Sequence, residues 1–154
     1  MQPGIITCVQ KKVKVAAKEN RIFKYWFPVI GWAIVIFWFS SRSVNPTSQI
    51  YFWDFIFKKS AHIVVYFILS LLFYRALVNF GFDKKKSGIA AIVFCLLYGL
   101  SDEIHQSFTP GRGPALRDVL IDTFGATLGV ILIWKYLPKA PKRLKLWAEK
   151  LQIS

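Results

Sequence analysis

Cysteines are scarce in this sequence, and the motifs that usually mark metal sites are missing. The 154 residues include two cysteines, Cys8 in a basic leader and Cys95 inside an apolar run, and nothing in the sequence pairs them. We therefore expect no disulfide and no thiolate metal site. No H-E-x-x-H motif, cysteine pair or EF-hand loop occurs, so the sequence assigns no metal and names no cofactor.

Acidic residues are also few, with eight against 21 lysines and arginines, and the formal net charge is +13. Such a charge would suggest nucleic acid binding if the basic residues formed a patch on a polar domain. Instead they bracket apolar runs, as in membrane proteins that follow the positive-inside pattern. No helix-turn-helix, zinc-finger or RNP-type motif occurs, so we expect membrane lipids rather than nucleic acid as partners.

Apolar residues, by contrast, are abundant: they make up 55% of the chain, and its mean hydropathy is +0.41. Four apolar segments are each close to the ~20 residues needed to cross a hydrocarbon core. Turn-forming sequences, "SVNPTSQ", "GFDKKKSG" and "TPGRGP", separate them. We predict an all-α membrane protein, a four-transmembrane-helix bundle with up-down-up-down order. Its predicted spans are residues 25–41, 58–80, 87–108 and 117–137.

The basic residues also predict an orientation. On one side of the predicted membrane, the basic residues number 6, 4 and 6 in residues 1–24, 75–86 and 135–154, and each of these segments has one acidic residue. The segments on the opposite side together hold five basic and five acidic residues. The positive-inside rule therefore places both termini in the cytoplasm and the chain in the plasma membrane. The predicted parts are a basic leader (1–24), a transmembrane domain (25–137) and an amphipathic tail (138–154).

This orientation brings the polar ends of all four spans into the outer leaflet. An ionised carboxylate facing lipid near mid-membrane costs on the order of 3 kcal/mol, so Asp122 and His62 should face the bundle interior. Helical spacing places Tyr66 on the same stripe as His62. The polar groups that should meet are Ser40 and Ser41, Lys58, Lys59 and His62, Asp102 to Gln106, and Asp118 and Asp122.

The loop "TPGRGPALRD" suggests what such a cluster could bind. Gly111 and Gly113 free the backbone to approach a ligand, and Arg112 and Arg117 are fork donors suited to phosphate. Beside Lys59, these side chains predict a headgroup pocket for an anionic or pyrophosphorylated lipid. The alternative is a capped turn in which Arg117 only offsets the neighbouring Asp118.

Acid–base chemistry is a second possibility for the same groups. His105 or His62 could act as a base oriented by Asp102 or Glu103, although Ser101 does not lie in a nucleophile elbow. Asp102, His105, Asp118 and Asp122 are possible metal ligands by residue type alone. The "GATLG" segment concerns packing and not catalysis. Its two glycines form a GxxxG pattern, which predicts close packing of the fourth helix.

The segment "SDEIHQSFTPGRGPALRDVLIDTFGATLG" closely resembles the signature half of VanZ-like proteins. "FSSRS" and "KKSAHIVVYFILSLLF" add to the resemblance, which covers residues 25–137. It implies an envelope setting and, in one member, resistance to the glycopeptide teicoplanin. The positions that it implies are functional or framework residues are Ser41, Lys59, His62, Tyr66, Asp102, Glu103, His105, Gln106, Pro110, Gly111, Arg112, Asp118, Asp122, Gly125 and Gly129.

Three functions follow as hypotheses, and the sequence leaves open whether the protein is an enzyme, which ligand it takes and how it oligomerises. The first is binding of an anionic lipid or lipid-linked envelope precursor in an outer-leaflet polar cavity. Its ligand-binding residues are Lys59, Tyr66, Gln106, Arg112, Arg117, Asp118 and Asp122. The second is an intramembrane enzyme using His105, Asp102, Glu103 and His62. The third is a structural or partner protein whose charges form a self-neutralising network.

Overall fold

The computed structural model describes residues 3–41, 52–108 and 115–153, without the side chains of residues 3–19, 52–55, 57 and 58. This part of the chain is helical and contains no strand. Its helices are α1 (Pro3–Ser40), α2 (Phe52–Asn79), α3 (Lys84–Gln106), α4 (Leu116–Ile131) and α5 (Lys142–Lys150). A π-helical segment, Leu132–Tyr136, and a 3₁₀ turn, Leu137–Lys139, continue from the end of α4.

The helix boundaries differ from the predicted spans at several points. α2 begins at Phe52, six residues before its predicted span, and α4 ends at Ile131, six residues before the end of its span. The leader is helical from Pro3 and continues without a break into the first apolar segment. α3 begins at Lys84, three residues before its predicted span, because Asp83 caps it by accepting hydrogen bonds from the backbone N–H groups of Lys85 and Lys86, both at 3.0 Å. Gly81, with φ of 91°, makes the preceding turn in a conformation that favours glycine.

α2 is the central helix, and α4 packs more extensively against it than any other pair of helices does. A Cβ at Gly125 would collide with the backbone of Ile63, and one at Gly129 would collide with Ser70 Oγ and lie 3.0 Å from the carbonyl of Phe67. The two glycines therefore let α4 lie directly on α2. This confirms the close packing that the GxxxG pattern predicted.

Aromatic residues attach α1 to the rest of the bundle. Trp32 Nε1 donates to the carbonyl of Val65 on α2 at 2.9 Å, and the Tyr98 hydroxyl on α3 donates to the carbonyl of Ala33 at 2.6 Å. Both bonds reach a backbone carbonyl from a half-buried side chain that has an apolar body and a polar tip, which suits Trp and Tyr.

Gln152 contacts the ends of the helices where the basic residues gather, which we call the basic end of the molecule. The Tyr25 hydroxyl donates to Gln152 Oε1 at 2.8 Å, and Asn79 Nδ2 donates to the Gln152 carbonyl at 2.8 Å. Arg21 also donates to the carbonyl of Asn79. α1, the end of α2 and the chain end are thus joined at the side where the basic residues gather.

Three described helices, Asn20–Ser40, Lys59–Asn79 and Lys84–Gln106, are long and apolar enough to cross a membrane. Large apolar side chains point outward from them, as expected for surfaces in contact with lipid. Ile34 on α1 is 61% exposed, and Leu97 on α3 is 59% exposed. Such contiguous exposed apolar surface is rare on soluble monomers. The chain is a membrane protein.

Candidate functional site

The polar ends of α1, α2, α3 and α4 meet at the end of the molecule opposite the basic end. We call these residues the polar cluster: Ser40, Ser41, Lys59, His62, Tyr66, Asp102, Glu103, His105, Gln106, Asp118 and Asp122. Their contacts fall into three groups, which join α1 to α3, α2 to α4, and α3 to the start of α4.

The first group is a three-membered hydrogen-bond network. Ser40 Oγ donates to Asp102 Oδ2 at 2.8 Å, and Gln106 Nε2 donates to the same oxygen at 2.8 Å. Gln106 Nε2 also lies 2.6 Å from Ser40 Oγ. All three side chains are buried, so these bonds supply the partners that buried polar groups require.

The second group is a pair of contacts one helical turn apart. Lys59 Nζ lies 2.5 Å from Asp118 Oδ1, and His62 Nδ1 lies 3.0 Å from Asp122 Oδ1. Lys59 and Asp118 are about equally accessible, at 19% and 18%, whereas Asp122 is 1% exposed. Asp122 is therefore the most deeply buried of these four groups, although its partner His62 keeps 28% of its side chain exposed.

Two polar atoms deep in the cluster have no hydrogen-bond partner among the described residues. They are the hydroxyl of Tyr66, which is fully buried, and Oδ1 of Asp102. A Cβ added at Gly99 would lie 3.4 Å from Asp122 Oδ2 and 3.6 Å from the Tyr66 hydroxyl, so both groups face the same glycine. A buried donor or acceptor without a partner costs about 1–3 kcal/mol, which makes these atoms candidates for contact with a ligand or water.

Glu103 holds the start of α4. Its Oε2 accepts a hydrogen bond from the backbone N–H of Ala115, the N-cap residue, at 2.7 Å. The carboxylate thus satisfies one donor at a helix N-terminus, where negative charge is favourable. This contact gives Glu103 a positioning role that the sequence did not predict.

His105 lies at the edge of the cluster and contacts α1. Its Nε2 is 3.2 Å from Ser41 Oγ, and its ring centroid is 4.4 Å from that of Phe37. The hydroxyl that faces this imidazole is therefore that of Ser41, which also donates to the carbonyl of Phe37 at 2.7 Å. Ser107, which the sequence places close by, instead donates to the carbonyl of Ile104.

Of the two arginines predicted to bind a ligand, the structure describes the position of one, Arg117. Arg117 Nε lies 3.8 Å from Asp118 Oδ1, and the Arg117 side chain is 66% exposed at the mouth of the cluster. Arg112, with the rest of the loop from residue 109 to residue 114, lies outside the described residues. Within the described parts of the chain, no three His, Cys, Asp or Glu side chains converge as a metal site would require.

An apolar groove between α1 and α2 leads to the polar cluster. Its volume is about 310 Å³, at the small end of the range of ligand pockets. Trp32, Val35, Ile36 and Phe39 of α1 form one side, and Ala61 and Val65 of α2 form the other. Ser40 and His62 also line it, so the groove joins an apolar surface to the buried polar groups.

Comparison with known proteins identifies the family to which the sequence belongs. The sequence model of the VanZ/LLP1 family matches residues 20–137, which is well over half of the chain. The chain belongs to the VanZ/LLP1 family. The resemblance drawn from the sequence is thereby confirmed, and the match begins five residues before the predicted domain. No curated protein and no solved structure matches the chain. The VanZ/LLP1 region includes every residue of the polar cluster and both walls of the groove.

Sequence reasoning missed two features of this VanZ/LLP1 site. It placed Ser40 and Ser41 at the polar ends without assigning them partners, because the Ser40–Asp102 bond joins residues 62 positions apart. It also proposed Glu103 for acid–base chemistry, as a group that orients a histidine, and did not predict its contact with the start of α4. One signal for the role of Ser40 was available in the sequence: it is a small polar residue at the end of an apolar span. A buried acid needs a hydrogen-bond donor, and a serine at that position can supply one.

Proposed function

We propose that this VanZ/LLP1 protein crosses the plasma membrane four times, with both termini in the cytoplasm, and binds an anionic lipid or lipid-linked envelope precursor at the polar cluster. The observation that carries the proposal is the groove between α1 and α2, which provides apolar walls for a lipid chain and leads to Ser40 and His62. Lys59 lies one helical turn from His62, where a headgroup would sit.

The fourth span in this proposal is α4 with its continuation. The 16 residues of α4 rise about 24 Å, and the π-helical and 3₁₀ segments extend the same run to Lys139. Together these lengths approach the thickness of a hydrocarbon core. The gathering of basic residues at the ends away from the polar cluster supports a cytoplasmic location for those ends.

The charges of the cluster suggest how a phosphate would be held. Lys59 and Arg117 are the described basic side chains nearest the mouth, and Asp118 contacts both of them. We propose that a phosphate binds Lys59, Arg117 and Arg112, while Asp118 and the buried acids position those cations. In this arrangement Lys59 contacts the phosphate and Asp118 at the same time, so the ion pair between Lys59 and Asp118 does not have to break.

Binding of a polyprenyl phosphate to the purified full-length protein in detergent tests this function. Lys59→Gln removes the proposed phosphate contact and should weaken binding by about tenfold or more, since a hydrogen bond to a charged group contributes about 1.5–3 kcal/mol. Lys86→Gln removes the same charge from an exposed position at the other end of the molecule and should leave the affinity within about twofold.

Two further lipids are tested in parallel. Phosphatidylglycerol is anionic but has acyl chains, so it tests recognition of the polyprenyl chain, and phosphatidylcholine has no net charge, so it tests recognition of the anionic headgroup. If Lys59→Gln and Arg112→Ala fold normally and leave the affinity for every anionic lipid unchanged, the proposal is wrong. Expression in a susceptible host then asks whether lipid binding is linked to teicoplanin resistance: resistance should fall with Lys59→Gln and persist with Lys86→Gln.

The contact between Ser41 and His105 favours one second candidate, an intramembrane enzyme acting on the same lipid. A hydroxyl 3.2 Å from an imidazole nitrogen is close enough for the nitrogen to act as a base toward it, once the hydroxyl turns from the Phe37 carbonyl, to which it donates, toward the imidazole. This function requires turnover of a lipid substrate by purified protein and its loss in both Ser41→Ala and His105→Ala. If either variant is as active as the unmodified protein, this pair is not the catalytic group.

A purely structural role for the cluster is the remaining alternative. Its support is that the described contacts join α1 to α3 and α2 to α4, which would fix the register of the helices. If this role is correct, substitutions in the cluster lower the stability of the protein. Any fall in lipid binding is then no larger than the fraction of unfolded protein explains.

A further inference from the structure

The basic end of the molecule contains a second and larger cavity, with a volume of about 670 Å³. This basic-end cavity lies between the end of α2, the start of α3, the segment that follows α4, and α5. Tyr74, Ile133, Trp134 and Leu137 give it apolar walls. Its volume is well within the range of about 300–1,000 Å³ that is usual for small-molecule sites.

One wall of this cavity depends on the π-helical segment. Ile133 and Trp134 belong to that segment, and both line the cavity. A Cβ at Gly88 of α3 would overlap the ring of Trp134, so this glycine lets the indole pack closely against α3. π-helical turns inside helices are rare and frequently occur at functional sites. Here the π turn and Gly88 together place an indole in the wall.

The charges around the cavity have mostly one sign. Lys84 and Lys85 from α3 and Lys145 from α5 line it, against one acid, Glu149. The nearby Asp83 already accepts hydrogen bonds as the cap of α3. The cavity therefore combines apolar walls with an excess of positive charge, which complements a molecule that has an apolar chain and an anionic head.

The position of the cavity favours a lipid over a soluble anion. It lies at the end of spans that are long and apolar enough to cross a membrane. The adjacent helix α5 exposes Leu144 and Trp147, at 57% and 65%, between its lysines, a pattern typical of helices at the membrane interface. Lysines at that level attract anionic headgroups.

We propose that the basic-end cavity binds one anionic phospholipid from the leaflet that it faces. An acyl chain occupies the apolar cavity beside Trp134, and the phosphate contacts Lys84, Lys85 and Lys145. Since α5 contributes Lys145 and Ala148 to the lining, the bound lipid also ties α5 to α3. This site is separate from the polar cluster and does not depend on the function proposed for it.

Native mass spectrometry of the full-length protein with dioleoyl phosphatidylglycerol tests the proposal. Lys59→Gln serves as the background, which removes the phosphate contact proposed at the polar cluster. In that background, adding Lys85→Gln and Lys145→Gln should weaken binding of one phosphatidylglycerol by about tenfold, because each lysine near a headgroup strengthens its binding.

The matched control carries Lys139→Gln and Lys142→Gln, which remove the same charge from exposed residues of the basic end that do not line the cavity. It should keep the affinity within about twofold. Glu149→Gln removes the one acid of the lining and should strengthen binding, the opposite direction from the lysine variants. Phosphatidylcholine should bind at least about tenfold more weakly than phosphatidylglycerol in the Lys59→Gln background and in the matched control, and this difference should shrink when Lys85 and Lys145 are replaced.

Three results would overturn the proposal. Equal losses in the two double-lysine variants would show that the lipid responds to overall charge and not to this cavity. Equal binding of phosphatidylcholine and phosphatidylglycerol in the Lys59→Gln background would show that the lysines recognise no headgroup. Unchanged binding in the Lys85→Gln and Lys145→Gln variant would place the lipid elsewhere. None of these results bears on Lys59, so the two proposals fail separately.

Discussion

Tyr66 is the residue at which a structural role and a ligand-binding role of the polar cluster differ most clearly. Its side chain is fully buried, and its hydroxyl has no hydrogen-bond partner among the described residues. Asp102, by contrast, uses one carboxylate oxygen to hold Ser40 and Gln106 and leaves the other without a partner in the same part of the chain. A network built only for stability would have little reason to keep these atoms unsatisfied.

Tyr66→Phe removes this hydroxyl and keeps the ring. We expect the free energy of unfolding in detergent to change by less than about 1 kcal/mol or to rise, because no described bond is lost and a buried unsatisfied group disappears. Lipid affinity should fall if the hydroxyl meets a ligand. A loss of stability above about 3 kcal/mol would mean that the hydroxyl has a strong partner within the protein.

The His62–Asp122 pair is the buried contact that a double-mutant cycle can measure. Asp122→Asn or His62→Gln should each destabilise the protein by about 1–3 kcal/mol, below the usual cost of breaking a fully buried pair because the His62 side chain is 28% exposed. The double variant should cost less than the sum of the two. Additive losses measured by thermal unfolding would show that the two side chains do not interact.

At the scale of whole elements, the position of α4 organises the site. Its two glycines bring it onto α2, Glu103 of α3 caps its N-terminus, and Asp118 and Asp122 then face Lys59 and His62. The sequence predicted this packing because the small residues and the acids recur at helical spacing. It could not predict the groove, since the walls of the groove come from two helices whose relative position no local pattern specifies.

Gly125→Ala tests the docking of α4. The added methyl would collide with the backbone of Ile63, which cannot move aside as a side chain could, so we expect a loss of about 2–3 kcal/mol or more. Gly31→Ala is the control: a Cβ there meets nothing within 4 Å, and alanine favours a helix by up to about 1 kcal/mol over glycine. Equal melting temperatures for the two variants would contradict the close packing.

At the scale of the whole molecule, the two ends have different chemistry. The polar cluster gathers most of the acids among the described residues, and the opposite end gathers lysines, the chain end and the larger cavity. Sequence alone predicted this division because charge and hydropathy report it directly. The return of Gln152 to Tyr25 and Asn79 could not be predicted, because it joins residues 127 and 73 positions apart through side chains that carry no special signal.

The proposed orientation rests on the same division and can be measured in intact cells. In a Cys8→Ser background, a membrane-impermeant maleimide should label Ser107→Cys, beside the polar cluster. It should label Lys142→Cys only after the membrane is permeabilised, because the positive-inside rule places the lysine-rich end in the cytoplasm. The reverse labelling pattern would invert the predicted topology and place the polar cluster in the inner leaflet.

Photocrosslinking tests the central claim most directly, namely that a lipid lies in the groove between α1 and α2 with its phosphate at Lys59. A polyprenyl phosphate with a photoreactive group on its chain would be irradiated with the full-length protein, and the attached peptides mapped by mass spectrometry. We predict attachment to Val35, Ile36 and Val65, and its loss in Lys59→Gln. Attachment spread evenly over outward-facing residues such as Leu97 and Leu120, unchanged in Lys59→Gln, would contradict the account.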